Sequence, residues 1–406
     1  MRNTAYITNR YLLIFVTVLC FLGIGLLGAV GYTMGKDASS AVTKIHPLSY
    51  VLLFISMLNL MRVRDKEQIL RGLSYNKPEY QLLFFIGVIV FYLYLIQNLS
   101  SISFIVDTLV CPALLAINFR YYPERFKWSA RKLCLQLLMI NAYVAIAERL
   151  LSMNFFPIVT TFGEEFRSTA LLGHPLNNAL ITFVGFLYAA VVPLPVTRKL
   201  YTMTVLLIAM VCFGARGALY ASMLSLVLLF IVPVFTSRKA YFKKISRPLI
   251  ITMLTVMIML VVYLILYTSF GERLVEASFY DSSSEVRARA FDIIDLDNLG
   301  NYFFAKDQAE MDMLSYYADV EIIENFFIFW VLKFGLILAV GLCVMIYRLF
   351  YLRMPIQSSF KRHVVVLLLL LAAATNNSLN TNTQLLSIFV LFFTIPDTAK
   401  AVHTKQ

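Results

Sequence analysis

Arginines stand at the ends of long apolar segments, where a charge is expensive to bury. Arg167 precedes a Gly-His-Pro turn that contains His174, and Arg216 lies in a Gly-Ala-Arg-Gly turn between two apolar runs. A guanidinium keeps its charge, and its planar fork of donors matches the oxygens of a phosphate group. Because arginine at membrane depth is costly, its presence there indicates function. The alternative is that arginines near span ends merely extend their charge to the interface.

Further candidate residues follow the same pattern. Asn178 comes shortly after His174, and Glu324 and Asn325 open a late apolar run. An ionised carboxylate such as Glu324 can act as a general base. Alternatively, it caps the helix that follows, near the positive end of the helix dipole. A long polar loop adds three more cations that could bind phosphate, namely Arg273, Arg287 and Arg289.

The composition that surrounds these residues is typical of a membrane protein. Of 406 residues, 60% are hydrophobic and 14% are charged, whereas a soluble domain is about a quarter charged. Many apolar runs approach or exceed the roughly 18 residues that cross a hydrocarbon layer. We therefore expect an all-α polytopic membrane protein with about twelve transmembrane helices, at residues 11–32, 47–61, 80–97, 102–118, 133–151, 172–194, 200–213, 217–235, 248–269, 325–347, 363–375 and 383–395.

The basic residues predict how these helices are oriented. Loops on the side of the two termini hold 25 Lys and Arg residues, and loops on the opposite side hold 8. Cytoplasmic loops carry the excess of positive charge, so both termini are predicted to be cytoplasmic. The net charge of +12 is explained by these topology signals and by anionic headgroups, not by nucleic acid.

One loop on the outer side is exceptionally long. Residues 270–324 hold 13 of the 23 acidic residues, and long loops of this kind are usually functional lids or binding elements. Apolar residues at helical spacing predict an amphipathic helix over 284–296. The loop's aromatic residues could line a groove, or the loop could be a solvated lid; the aromatics are Phe291, Tyr302, Phe303, Tyr316 and Tyr317.

Metal and disulfide chemistry are not expected. The five cysteines lie singly in apolar runs, and the four histidines lack metal-ligand spacing. Asp295-Leu-Asp297 imitates the DxD motif of metal-dependent glycosyltransferases, but it falls in the outer acidic loop, so we regard it as a chance match. Lys333 is expected to reach the interface or a lipid headgroup, and Arg149 is expected to pair with Glu148.

The order of these motifs resembles the O-antigen polymerase and O-antigen ligase superfamily of bacterial envelope glycosyltransferases. The similarity covers about residues 160–340, and the segments that carry it are 167–179, 214–219, 281–287 and 324–336. Residue 215 is alanine where the family usually has serine. Ligases of the family carry a His-x-His-Asn string where this chain has Ile-Ile-Glu-Asn, ending at Glu324 and Asn325, so the resemblance favours a polymerase.

The resemblance implies a GT-C-like fold with one large periplasmic loop and a metal-independent reaction without a cofactor. The donor would be a growing glycan on undecaprenyl diphosphate and the acceptor a lipid-linked repeat unit, with a chain-length regulator as a possible protein partner. Arg167, Arg216 and Arg287 would stabilise the departing diphosphate, and Glu324 would be the base. The substrate-binding residues would be His174, Asn178, Arg273, Arg289 and Asn325.

Two other functions are considered. A ligase would transfer the glycan to another acceptor by the same chemistry, whereas a flippase for lipid-linked oligosaccharides should spread its arginines along the spans. The expected organisation is helices 1–5 in residues 1–150, helices 6–9 with a re-entrant arginine turn in 151–269, the large loop in 270–324 and helices 10–12 in 325–406.

Overall fold

The fold is all-helical throughout the residues that the structure describes. The structure is a computed structural model, and it describes residues 9–32, 43–62, 77–99, 103–120, 122–157, 166–232, 247–268, 289–295, 297–320 and 322–394. Within these ranges every regular element is a helix, as the apolar runs predict.

The helices follow the predicted apolar segments. In the first half they are α1 (Arg10–Leu19), α2 (Ile24–Ala29), α3 (Pro47–Arg62), α4 (Pro78–Leu95), α5 (Cys111–Phe119, preceded by a π-helical turn Ile105–Val110), α6 (Glu124–Leu151), α7 (Pro175–Val191) and α8 (Val196–Cys212). In the second half they are α9 (Arg216–Leu226, continued by a π-helical turn Val227–Ile231), α10 (Arg247–Tyr267), α11 (Gln308–Tyr317), α12 (Phe326–Phe334), α13 (Leu336–Arg353), α14 (Ser359–Ala373) and α15 (Leu385–Phe393).

Three of these helices, α4, α6 and α13, are long and apolar enough to cross a membrane. The expectation of about twelve such spans is not met by helix length and composition within the described residues. Most of the remaining apolar helices are shorter, because several predicted spans are interrupted or end early. Two of the interruptions have a clear cause in the packing of the chain.

The predicted span over 11–32 is broken after α1. Gly23 separates α1 from α2, and a Cβ atom at this position would lie 2.2 Å from the backbone Cα of Leu172. The backbone of the 166–174 segment can therefore approach this turn only because residue 23 is glycine.

The predicted span over 325–347 is divided at Gly335. This glycine has a φ of +87°, which residues with a side chain rarely adopt, and it separates α12 from α13. A Cβ atom here would lie 2.4 Å from the carbonyl oxygen of Phe303. The long loop thus folds back onto the junction between the two helices.

The centre of the bundle is formed by α7 and α15. Almost every residue of α7 is buried, and all nine residues of α15 are buried. Helix α7 packs against α8, α9 and α15. By contrast, α4 lies at the periphery and exposes large apolar side chains such as Phe84 and Phe91, which are 63% and 62% exposed.

Contacts between loops fall at two ends of the bundle. At the first, which we call the ionic end, Arg353 and Arg120 both bind the carboxylate of Glu79, at 2.9 and 3.4 Å. At the second, which we call the loop end, residues 375–384 between α14 and α15 contact several other loops. Because successive predicted spans cross the membrane in opposite directions, their loops alternate between its two sides. The loops that meet at one end of the bundle are all predicted to lie on the same side.

Candidate functional site

The loop end is organised by the 375–384 loop, in which nine of ten residues are polar and uncharged. Side chains of Asn, Ser and Thr bond to nearby backbone groups and compete with helix formation. Here the side-chain oxygen of Asn376 accepts from the Ser378 N–H at 2.9 Å, and the Thr383 hydroxyl donates to the backbone carbonyl of Ser378 at 2.9 Å. The polar run therefore ends α14 and folds into turns in the interior of the protein.

This loop contacts the start of α7, where the Gly-His-Pro motif lies. Ser378 donates to the side-chain oxygen of Asn177, and Asn376 donates to the carbonyl of Leu176 at 3.5 Å. His174 is the residue before α7, which begins at Pro175, as expected of a proline in the first turn. His174 is half-buried, two residues from the Leu176 contact.

The loop also contacts the arginine turn. Helix α8 ends at Cys212 and α9 begins at Arg216, so the predicted helix-turn-helix is confirmed. A Cβ atom on Gly217 would lie 2.0 Å from the hydroxyl oxygen of Thr375, so this position must be glycine for the two segments to touch. Arg216, its immediate neighbour, is half-buried.

Arg167 is brought to the same turn by its neighbour. The N–H of Ser168 donates to the Cys212 carbonyl at 3.4 Å, and Ser168 is fully buried. The segment is fixed against α6 because the Glu148 carboxylate accepts from the N–H groups of Thr169 and Ala170, at 2.9 Å each. Backbone N–H groups in an interior segment need such partners.

Asn178 and Asn141 complete this support. Asn141 donates to the Asn178 amide oxygen at 2.9 Å, and Asn178 donates to the Thr169 carbonyl at 2.6 Å. Asn178 is fully buried, and both ends of its amide bond to the protein. Its geometry is that of a residue that holds the 166–174 segment in place, so any contact with substrate would come through that segment.

The sequence also predicts contacts for two further basic residues, Arg149 and Lys333. Arg149 donates to the carbonyl of Phe166 at 2.9 Å, and the Glu148 carboxylate also accepts from the N–H of Phe155 at 2.9 Å. Lys333 does not reach an interface, because it is 1% exposed and its ammonium group donates to Asn98 at 2.6 Å. The expectation for Lys333 was wrong, since the long loop covers this part of α12.

Glu324 lies beside the loop end as well. The Asn380 side chain donates to the carbonyl of Ile323 at 3.5 Å, one residue before Glu324. Glu324 is half-buried and precedes α12. The cap of α12 is Asn325, whose side-chain oxygen accepts from the N–H groups of Phe327 and Ile328.

A buried acid that the sequence reasoning missed also holds the 375–384 loop. Asp107 is fully buried and accepts from the His46 N–H at 3.0 Å, the Ser49 hydroxyl at 2.6 Å and the Asn382 amide at 2.6 Å. Burial lowers the pKa of His46 to about 4, so its ring is neutral at ordinary pH. The available signal was a single Asp inside the apolar run of predicted span four, which indicates function by default.

Residues of the long loop are only partly described. Arg273, Arg287 and the start of the expected amphipathic helix lie outside the described residues. Within them, residues 289–292 are helical, and Arg289 forms an exposed ion pair with Asp319. Of the aromatic residues, Tyr302 is buried and donates to the Ile293 carbonyl, whereas the other four are exposed, namely Phe291, Phe303, Tyr316 and Tyr317.

The Asp295-Leu-Asp297 string is used within a turn. The Asp295 carboxylate accepts from the Asp297 N–H at 2.9 Å and from the Asn298 amide at 2.6 Å, and these bonds lower its pKa. Across the described part of the chain, acidic, histidine and cysteine residues form no group that could hold a metal ion.

Three of the described candidate residues thus lie beside one uncharged loop, and a fourth lies beside the arginine turn. Arg216, His174 and Glu324 lie within two residues of a direct contact with the 375–384 loop, and Arg167 lies next to the Ser168 contact with Cys212. Arg289 forms its ion pair with Asp319 in the long loop.

No protein-family model matches this chain, and no curated protein matches it. The resemblance to the O-antigen polymerase and ligase superfamily therefore stays a prediction that rests on the motifs. Chemically, fixed guanidinium groups can stabilise a leaving diphosphate, a carboxylate can accept a proton, and amides can bind hydroxyl groups.

Proposed function

We propose that this chain is a membrane glycosyltransferase that polymerises a bacterial polysaccharide such as O-antigen, capsule or exopolysaccharide. It would transfer a growing glycan from undecaprenyl diphosphate to a lipid-linked repeat unit at the outer face of the inner membrane. The observation that carries the proposal is the convergence of the His174, Arg216 and Glu324 segments on the 375–384 loop, with the Arg167 segment held against the end of α8 beside Arg216. In sequence, the stretch that holds Arg167 and His174 is separated by tens of residues from Arg216, and Arg216 is separated by tens of residues from Glu324.

The membrane setting is supported by two features. Three helices are long and apolar enough to span a bilayer, and peripheral side chains such as Phe84 and Phe91 present apolar surface to the surroundings. In addition, the charge count places the 375–384 loop on the outer side and Glu79, Arg120 and Arg353 on the cytoplasmic side. Twelve crossings, a GT-C-like arrangement and cytoplasmic termini are parts of this proposal.

In the proposed reaction, the glycan of the donor is transferred and its lipid diphosphate is the leaving group. The hydroxyl oxygen of the acceptor sugar attacks the anomeric carbon, and the bond from this carbon to the diphosphate oxygen breaks. The electron pair leaves with the diphosphate, where Arg167 and Arg216 would stabilise the charge that develops. The hydroxyl proton would pass to Glu324. Arg287 is assigned to the same diphosphate by the motif resemblance.

The rival functions predict different outcomes of one experiment. Glycans would be extracted from three strains and separated by length. The strains are one that carries this chain, one in which its gene is deleted, and the deletion strain complemented with the gene. Polymerase activity predicts that deletion leaves a single repeat unit attached to its final acceptor. Loss of all attachment would indicate a ligase, and a build-up of lipid-linked units on the cytoplasmic side would indicate a flippase.

A labelling experiment tests the topology separately. Single cysteines would be introduced at residue 300 and within 62–79, in a variant whose five native cysteines are replaced, and treated with a membrane-impermeant reagent. The proposal expects labelling of residue 300 from outside and of 62–79 only after the membrane is opened. Labelling of residue 300 only from the cytoplasmic side would overturn the mechanism.

A further inference from the structure

Two amide side chains in the 375–384 loop carry buried atoms that lack a partner. Gln384 is 6% exposed, yet neither its amide nitrogen nor its amide oxygen has a hydrogen-bond partner in the described part of the protein. The amide oxygen of Asn380 is buried in the same way, although its nitrogen donates to Ile323. Native proteins rarely leave buried amides without partners, so such groups require an explanation.

The loop that holds them is itself uncharged, and two acidic residues flank it, Asp107 at Asn382 and Glu324 beside the Asn380 contact. The loop offers hydroxyl and amide groups and no charged side chain. An amide both donates and accepts, which matches the neighbouring hydroxyl groups of a sugar ring, whereas a phosphate or carboxylate would accept only. The chemistry of the loop is therefore complementary to that of the arginines nearby, which favour anions.

Asn380 and Gln384 lie close together in the chain. Gln384 lies four residues after Asn380, so the two Cα atoms are at most about 14 Å apart even if the chain is fully extended. Asn380 touches the segment of Glu324, and Thr375 at the other end of the loop touches Gly217 beside Arg216. A glycan that extends from a diphosphate near Arg216 would meet the loop on its way to Glu324.

We propose that Gln384 and Asn380 form a subsite that binds the hydroxyl groups of the glycan, next to the arginines that bind its diphosphate. This inference rests on the proposed function and assigns the two parts of the substrate to two parts of the site. The 375–384 loop binds sugar, and the arginine turns bind the lipid diphosphate. Gln384 binds substrate without taking part in proton transfer.

The test measures binding to purified full-length protein in detergent, by the rise in melting temperature. The two probes are undecaprenyl diphosphate and the lipid-linked repeat units that accumulate in a strain lacking this chain. The main variant is Gln384→Met, which keeps the approximate size and removes the amide; Gln384→Glu is a second variant in case the first fails to fold. The matched control is Thr182→Val, because Thr182 is fully buried in α7 and its hydroxyl also lacks a partner among the described residues.

Both probes should stabilise the wild-type protein, and the glycan-bearing lipid should act at the lower concentration. Gln384→Met should keep the response to undecaprenyl diphosphate but require about tenfold more of the glycan-bearing lipid, as expected for loss of one or two neutral hydrogen bonds. Without ligand, its melting temperature should be unchanged or higher, because a buried amide without partners no longer has to be desolvated. Thr182→Val should keep both responses.

Three results would overturn the subsite. The first is an equal response of the wild-type protein to the two lipids. The second is an undiminished response of Gln384→Met, or of Gln384→Glu, to the glycan-bearing lipid. The third is a melting temperature of ligand-free Gln384→Met well below that of Thr182→Val, which would mean that the amide has a structural partner. A wild-type protein that responds to neither lipid would refute the proposed function as well as the subsite.

Discussion

Each end of the helical bundle buries a polar side chain, and the two side chains, Glu79 and Gln384, differ in how they are hydrogen-bonded. At the ionic end, Glu79 is 1% exposed, and its carboxylate receives two-pronged hydrogen bonds from Arg353 and a further one from Arg120. At the loop end, Gln384 is nearly as deeply buried but has no partner for either amide atom in the described residues.

The difference indicates which end is built for stability and which for binding. A buried carboxylate is tolerated when cations and hydrogen bonds surround it, and the surroundings of Glu79 meet that condition. A buried amide without partners costs free energy and therefore requires an explanation, and for Gln384 the explanation proposed above is a ligand. The ionic end should thus respond to mutation in stability, and the loop end in activity.

The largest expected effect is at Glu324 and would sharpen this contrast. Glu324→Gln keeps the size and most hydrogen bonding of the side chain but removes the base, so polymer formation should fall by roughly 10²–10⁴ at equal protein level. Because Asn325 supplies the cap of α12, the melting temperature should change little. Near-normal glycan length from this variant would exclude Glu324 as the base, and the described carboxylate of Asp319 would be tested next.

Arg216 should give the next largest effect. Arg216→Lys keeps the positive charge but loses the planar fork of donors, so we expect a loss of about 10²–10³ in the rate of glycan transfer. Arg125→Lys is a matched control, because Arg125 is exposed at the start of α6. Rates would be measured with lipid-linked substrate in membranes with equal amounts of each protein. Full activity of Arg216→Ala would remove this residue from the site.

The ionic end should show the reverse pattern. Glu79→Gln leaves Arg353 and Arg120 without their anion, and hydrogen bonds to a charged group contribute about 1.5–3 kcal/mol. We expect a lower melting temperature in detergent and an unchanged rate of glycan transfer per folded molecule. A large loss of rate at normal stability would break the comparison, because it would make the ionic end part of the catalytic machinery.

The helical segments could be predicted from the sequence because long apolar runs indicate segments that are removed from water. Each predicted span contains a helix, and the Gly-His-Pro start of α7 and the turn before Arg216 are where the motifs indicate. The interruptions at Gly23 and Gly335 were not predicted. They depend on which backbone from a distant segment approaches the glycine, and this information is not contained in the local pattern.

Of the residues that form the candidate site, the sequence predicted the charged ones but not the uncharged 375–384 loop. Arginines and Glu324 attract attention because charge in an apolar chain is rare, whereas the 375–384 loop looks like an ordinary short connection. Its importance comes from contacts with Leu176, Gly217 and Ile323, which lie far from it in the sequence. Asp107 had a usable signal, as a lone acid in an apolar run, but its role in holding Asn382 follows from the fold.

The smallest expected effect concerns Asn325, which belongs to the motif of Glu324 but has a structural task. Its side-chain oxygen caps α12, so Asn325→Ala should lower the stability by about 1 kcal/mol. Asn325→Ser keeps an oxygen that can cap the helix but removes the amide nitrogen, so it separates capping from substrate binding. If the cap is the whole contribution, the Ser variant keeps both its melting temperature and its rate of glycan transfer. A normal melting temperature with a reduced rate would show that the amide nitrogen contacts substrate, and would extend the binding surface of the loop end to the start of α12.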